Sequence, residues 1–169
     1  MTLYHCWTSP FGPMLATLEE NQLTGCYLVG QKYQPAIDDQ WQPAPEHALF
    51  QQLATQLERY AQQPDFVFTL PLAPKGSAFQ QRVWQALQRI PAGTTYYYQQ
   101  LADALGKPAA VRAVAAAIGK NPLLILIPCH RVVGKNGKLT GFAAGLALKQ
   151  LLLTHEAQCD GSANKRCAL

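Results

Sequence analysis

The sequence predicts an α+β protein in two modules, and three observations carry that prediction. Residues 1–74 read as short strands with one amphipathic helix. Residues 75–157 read as a run of short helices. The charge also changes sign between them. The first stretch has two basic residues against seven acidic ones, a net −5. Residues 75–169 have twelve against three, a net +9, which together give the chain its +4. With 169 residues and 49% apolar side chains, there is enough hydrophobic area for a real core and too much for a disordered chain. A mean hydropathy of −0.07 argues against an integral membrane protein. No basic-then-apolar leader opens the sequence, so a cytoplasmic protein is expected.

In the first module, residues 2–7, 13–18 and 22–29 read as strands, separated by the turn signals Ser9-Pro10-Phe11-Gly12 and Glu20-Asn21. A Pro- and Gln-rich connection follows over residues 31–45. Leu49, Phe50, Leu53, Leu57 and Tyr60 then recur at helical spacing. Residues 66–70 alternate as a strand, and residues 72–76, beside Pro71 and Pro74, read as the linker. Nothing in this half assembles a chemical site, so its expected role is scaffolding.

The second module opens on a capping box, Ser77 with Gln80, ahead of a helix whose apolar face is Phe79, Val83, Leu87 and Ile90. Pro91-Ala92-Gly93 stops it. Residues 94–97 are short and β-rich. Residues 98–105 form a second helix, Gly106-Lys107-Pro108 a turn, and residues 109–119 a third helix, which makes a helix-turn-helix. In that third helix Val111, Val114 and Ile118 share one face. The other carries Arg112, Ala115, Ala116 and Gly119: one long cation on a face stripped of side chains. In a basic module this suits a backbone laid into a DNA groove with Arg112 projecting inward. Residues 158–169 read as a disordered tail.

The chemistry concentrates after Asn121-Pro122. Leu123 to Ile127 reads as a buried strand that ends in Pro128-Cys129-His130-Arg131. Such a strand end would hold a thiol in register beside an imidazole. The thiolate is the nucleophile, and a neighbouring histidine can take its proton. Neighbours on a strand point to opposite faces, so Cys129 and His130 need a bend or a bridging water to communicate. The other cysteines, Cys6, Cys26, Cys159 and Cys167, form no CxxC pair, and the odd total argues against a disulfide framework. Cys6 and Cys26 are expected as small core residues. Neither these nor His5 and His47 have ligand spacing, so no metal is expected.

Taken together, these residues resemble the O6-alkylguanine-DNA alkyltransferases. The resemblance covers about residues 77–156. It rests on Phe79-Gln80-Gln81-Arg82-Val83-Trp84, Ile90-Pro91-Ala92-Gly93-Thr94 and Ala109-Ala110-Val111-Arg112-Ala113-Val114. It continues through Lys120-Asn121-Pro122, Ile127-Pro128-Cys129-His130-Arg131-Val132-Val133-Gly134 and Leu152-Leu153-Thr154-His155-Glu156. It implies a ribonuclease H-like first domain over 1–74 and a winged-helix-like DNA-binding domain over 75–157. It also implies transfer of an alkyl group from O6-alkylguanine in duplex DNA, with O4-alkylthymine as a further lesion, to the protein's own cysteine. A monomer acting once and without a cofactor follows from the same likeness.

The roles it implies are these. Cys129 is the acceptor, and His130 relays its proton through a water to Glu156. Asn121 braces the turn around the cysteine. Tyr98 donates to the departing guanine and crowds the backbone phosphate. Arg112 fills the space left by the flipped base, with Ala113, Ala115 and Ala116 against the groove. Val132, Phe142, Ala143 and Ala144 line the substrate pocket. The chain departs from the family's pattern at Gly141-Phe142-Ala143-Ala144-Gly145: Phe142 lacks a tyrosine's hydroxyl, and Ala144 stands where glycine is usual, which implies a tighter lip. Two other readings compete. A cysteine hydrolase would use Cys129, His130 and Asn121 but leaves the helix-turn-helix unexplained. A non-enzymatic DNA-binding regulator would need side chains for base readout that the bare helix face lacks.

Overall fold

The computed structural model describes residues 1–159. Strands β1 (Leu3–Ser9), β2 (Gly12–Glu19) and β3 (Gln22–Leu28) form an antiparallel meander. Its second hairpin turns through Glu20 and Asn21, both in the left-handed region at φ 49° and 59°, as a two-residue turn between right-twisted strands requires. A two-residue strand, β4 (Gln42–Pro43), joins the far edge parallel to β1, in the order β3-β2-β1-β4. It lies inside the stretch expected to be only a connection. Helix α1 (Ala48–Gln62) buries Phe50, Leu53, Leu57 and Tyr60, as its spacing predicts.

Residues 66–70 do not form the expected strand. They run without a ladder partner, although Phe66 and Phe68 are half-buried, Val67 is exposed and Leu70 is buried. The alternation thus reports burial on one side, not sheet pairing. The expected linker, in turn, is tied down. Leu23 N donates to Pro71 O and Ala73 N to Leu23 O, so this segment covers half of the open edge of β3. The other half is covered from far along the chain, by Cys26 N to Pro122 O and Leu124 N to Cys26 O. An exposed edge strand is an aggregation hazard, and here both ends of it are paired. Cys26 is fully buried, as expected. Cys6 is not: it faces outward from β1 and is exposed.

The second half holds α2 (Ala78–Gln88), β5 (Tyr96–Tyr97), α3 (Tyr98–Ala104), α4 (Val111–Gly119), β6 (Val132–Val133) and α5 (Leu146–Glu156). The capping box at Ser77 forms in both directions, Gln80 N to Ser77 Oγ and Ser77 N to Gln80 Oε1. A 3-10 turn over Pro108–Ala110 leads into α4, so α3, turn and α4 make the helix-turn-helix. Trp84 of α2 is buried and donates its indole N–H to Ala117 O at 2.9 Å, which fixes the inner side of α4. The outer side then carries Arg112, Ala113 and Ala116 exposed, with Ala115 and Gly119 half-buried. Of the tail expected to be disordered, Gln158 and Cys159 turn back on the end of α5, Cys159 N donating to Glu156 O. Cys167 and the rest lie outside the described residues. No helix among the described residues is long and apolar enough to cross a membrane.

Candidate active site

Asn121 organises the loop that carries the thiol. Its Nδ2 donates to Ile127 O at 2.8 Å and to Leu123 O at 3.4 Å, and its Oδ1 accepts from Leu123 N at 2.9 Å. These bonds, with Ile127 N to Leu123 O, fold residues 123–127 back on themselves, Ile125 at φ 70°. The expected strand here is therefore a closed, fully buried turn. Five apolar residues in a row report burial, and they cannot say whether the backbone is extended. Cys129 consequently does not sit at a strand end. It opens a single 3-10 turn, Cys129–Arg131, before β6. That turn supplies the bend that lets neighbouring Cys129 and His130 face one site.

Cys129 is 6% exposed. Burial pushes its thiol up. Asn121, the charge of Lys149 and the backbone N–H groups of Cys129 and His130 pull the other way, toward the thiolate. His130 is completely buried, and its Nε2 lies 2.8 Å from Glu156 Oε2. Arg131 grips the same carboxylate with two bonds, Nε to Oε1 at 2.8 Å and Nη2 to Oε2 at 2.9 Å, and donates Nη1 to Ile90 O. Burial alone would raise Glu156. The hydrogen bonds and charges of His130 and Arg131 outweigh it and hold the carboxyl well below its usual range. Burial lowers His130, partly offset by Glu156. The pair at neutral pH is therefore an ionised Glu156 accepting from a neutral His130. That fixes the tautomer: Nε2 carries the hydrogen, and Nδ1, buried and without a hydrogen-bond partner among the described residues, is the basic atom.

A second wall is built from Tyr98, Thr140, Phe142 and Lys149. Thr140 Oγ1 donates to the Tyr98 hydroxyl oxygen at 3.1 Å, which leaves the phenol hydrogen free to donate elsewhere. Lys149 Nζ donates to Thr140 O at 3.1 Å and stands 5.9 Å from the ring centres of both Tyr98 and Phe142. Burial lowers Lys149 and raises Tyr98, and both interact electrostatically with Cys129. Phe142, Ala143 and Ala144 are half-buried, and Ala143 O accepts from Lys32 N of the first half. Val132 is fully buried, paired with Tyr96 between β6 and β5.

The structure thus joins Cys129, His130, Glu156 and Asn121 in one buried unit, with Tyr98 near the thiol. Arg112 with Ala113, Ala115 and Ala116 occupies a separate outward face. Three residues escaped the sequence reading. Arg131 appeared only as part of a motif. Lys149 reads as one more solvated lysine until it is seen to be 1% exposed. Tyr60 reads as core and is core, yet its hydroxyl donates to Glu156 Oε2 at 2.5 Å. The first half therefore does contribute to the chemical site, contrary to the scaffold-only expectation.

A two-domain α+β fold with a helix-turn-helix and a buried Cys-His-Glu unit defines a thiol-bearing DNA-processing protein. Known proteins narrow this. Residues 2–74 match the 6-O-methylguanine DNA methyltransferase ribonuclease-like domain, and residues 78–158 match the DNA binding domain of the same name. The methylated-DNA–protein-cysteine methyltransferase of Methanosarcina acetivorans is 41% identical over 156 residues, covering 92% of this chain and 99% of the other. The bifunctional transcriptional activator/DNA repair enzyme Ada of Escherichia coli is 50% identical over 128 residues, 76% of this chain and 35% of Ada. The crystal structure of Mycobacterium tuberculosis OGT in complex with DNA superposes with a TM-score of 0.83 at 39% identity, covering 92% of each chain. The chain belongs to the 6-O-methylguanine DNA methyltransferase family. It is a methylated-DNA–protein-cysteine methyltransferase of direct-reversal DNA repair.

Proposed function

We propose that the alkyl acceptor is Cys129 and that transfer from O6-alkylguanine in duplex DNA is a single, irreversible event at this site, carried out by a monomer. The observation that supports this most strongly is the buried Cys129-His130-Glu156 unit with its carboxylate locked by Arg131. The thiol proton moves, through a bridging water, to Nδ1 of His130. The thiolate sulfur attacks the alkyl carbon, a carbon–sulfur bond forms, and the bond to O6 breaks with its electron pair left on the base. The Tyr98 hydroxyl, its oxygen already occupied by Thr140, stabilises that anion by donation. Because Glu156 is held ionised by Arg131, the proton stops at His130. Glu156 stabilises the imidazolium instead of taking the proton, a change from the relay the family resemblance implies. The thioether that results has no easy leaving path, so each molecule acts once.

The target base must leave the stack before its O6 substituent can meet a thiol that is 6% exposed. Arg112, alone on an outer α4 face of alanines and Gly119, fills the vacated space from the groove. O4-alkylthymine fits the same chemistry. The test is mass spectrometry after incubation with duplex DNA containing O6-methylguanine. The expected result is a gain of about 14 Da on the peptide containing Cys129, since methyl replaces the thiol hydrogen on the nucleophile. An unmodified protein, or methyl on exposed Cys6 instead, would refute the assignment.

A further inference from the structure

We propose that Tyr60, contributed by the ribonuclease-like half, is a positioning residue of the transfer site: its hydroxyl holds Glu156 Oε2 and limits how strongly that carboxylate binds His130. The inference rests on the alkyl-transfer reading of Cys129, His130 and Glu156 and adds to it a residue from the other domain.

The geometry is tightly specified. Tyr60 lies in the last turn and a half of α1 and is fully buried. Its ring is held by Phe11 at 5.7 Å, by Phe68 at 5.5 Å and, in a T-shaped pair, by His155 at 5.2 Å between centres. Its hydroxyl donates to Glu156 Oε2 at 2.5 Å, and its main-chain oxygen accepts from His155 Nε2 at 2.7 Å. Both ends of the residue are thus pinned to consecutive residues of α5. Phenylalanine would fill the same space without a polar atom to satisfy. The hydroxyl is therefore present for its bond.

That bond has a chemical consequence. A carboxylate offers about four acceptor positions. Among the described residues Glu156 receives four donors: Arg131 Nε on Oε1, and Arg131 Nη2, His130 Nε2 and the Tyr60 hydroxyl on Oε2. Each hydrogen bond donated to a carboxylate favours its ionised form and lowers its basicity toward the other donors. Tyr60 therefore weakens the pull of Oε2 on the His130 hydrogen and keeps the imidazole neutral, ready to accept at Nδ1. Among the described residues, the other charged or titratable groups facing this cluster are Arg131 and Lys149 toward His130, Arg131 toward Glu156 and Tyr60, His155 against the Tyr60 ring and main-chain oxygen, and Cys159, with Asp65 beside it, toward Glu156 and Tyr60. Among the described residues, the hydrogen-bond partner of the Tyr60 hydroxyl is Glu156.

The test compares the unmodified protein with Tyr60→Phe, which deletes the donor, and with 3-fluorotyrosine at position 60, which keeps the shape and strengthens the donor. Nitrogen NMR of His130 gives its titration, and single-turnover methyl transfer gives a rate against pH. Tyr60→Phe should move the His130 titration, and the inflection of the rate profile with it, to higher pH. Fluorotyrosine should move both to lower pH. Opposite shifts are not produced by a merely structural tyrosine. A titration that is unchanged in both proteins, or that moves the same way in both, overturns the proposal. If Tyr60→Phe does not fold, fluorotyrosine alone decides by its downward shift or the lack of one. If the unmodified protein takes up no methyl, the alkyl-transfer reading fails, and the NMR titrations still judge Tyr60 separately.

Discussion

Replacing Glu156 with glutamine tests the site where its energy is concentrated. The carboxylate is 1% exposed and accepts four bonds. In its best orientation a glutamine keeps its carbonyl oxygen at the Oε2 position, where it still accepts from Tyr60, His130 and Arg131 Nη2. Its amide nitrogen then meets Arg131 Nε, donor against donor. One charge-assisted bond is lost, and the guanidinium loses its counter-charge while its side chain is 12% exposed. Removing one partner of a buried pair costs about 3–5 kcal/mol. Arg131 keeps Ile90 O and some water, so the low end applies, about 3 kcal/mol. For a chain of this size, that lowers the melting temperature by about 6–12 °C.

The pH dependence has a definite sign. Folding lowers both His130 and Glu156. A group whose folded-state pKa is depressed stabilises the fold above its unfolded pKa, and that stability is lost as pH falls. The unmodified protein should therefore weaken below about pH 6.5 through His130, and further below about pH 4.3 through Glu156. Glu156→Gln should lack the second step. The assay is urea unfolding at a series of pH values. A loss below about 1 kcal/mol at pH 7, or unmodified protein that gains stability on acidification from pH 6.5 to 4, would refute the reasoning.

Two further outcomes follow from the same geometry. Asn121→Ala leaves the buried N–H of Leu123 without its acceptor and removes a bond to Ile127 O, for a loss of about 2–4 kcal/mol in urea unfolding; iodoacetamide labelling of Cys129 should also slow, because Asn121 favours the thiolate. Arg112→Ala should slow methyl transfer from duplex DNA much more than from the free base O6-methylguanine, measured by single-turnover rates. Equal slowing would place Arg112 in the chemistry and not in extrusion.

Local patterns were legible where local forces decide. The Glu20-Asn21 turn, the Ser77-Gln80 box and the α1 face each form as their residues require, because each is settled within a few positions. Residues 123–127 were misread because their shape depends on Asn121, a side chain that closes the turn from outside the apolar run. Residues 66–70 were misread because alternation marks a half-buried backbone whether or not it is laddered. At the site, Cys129 and His130 were legible as neighbours in sequence. Tyr60 was not, since 96 residues separate it from the carboxylate it meets. Lys149 was not, since its burial against Tyr98 and Phe142 depends on how α5 docks, which no local pattern encodes.

The knitting of the two halves bears on how the molecule comes into being. The thiol loop hangs on β3 through Cys26, while its base is completed by Glu156 in the last turn of α5. Contacts between distant parts of a chain form late, because the intervening loop must first be closed. On the ribosome, the sheet that receives the loop emerges well before the carboxylate of α5. A nascent or truncated chain that has not yet incorporated α5 carries Cys129 without an oriented base. On the proposed reading of Cys129, the nucleophile is therefore armed only once α5 has been made and docked, with the sheet and the helical half both in place.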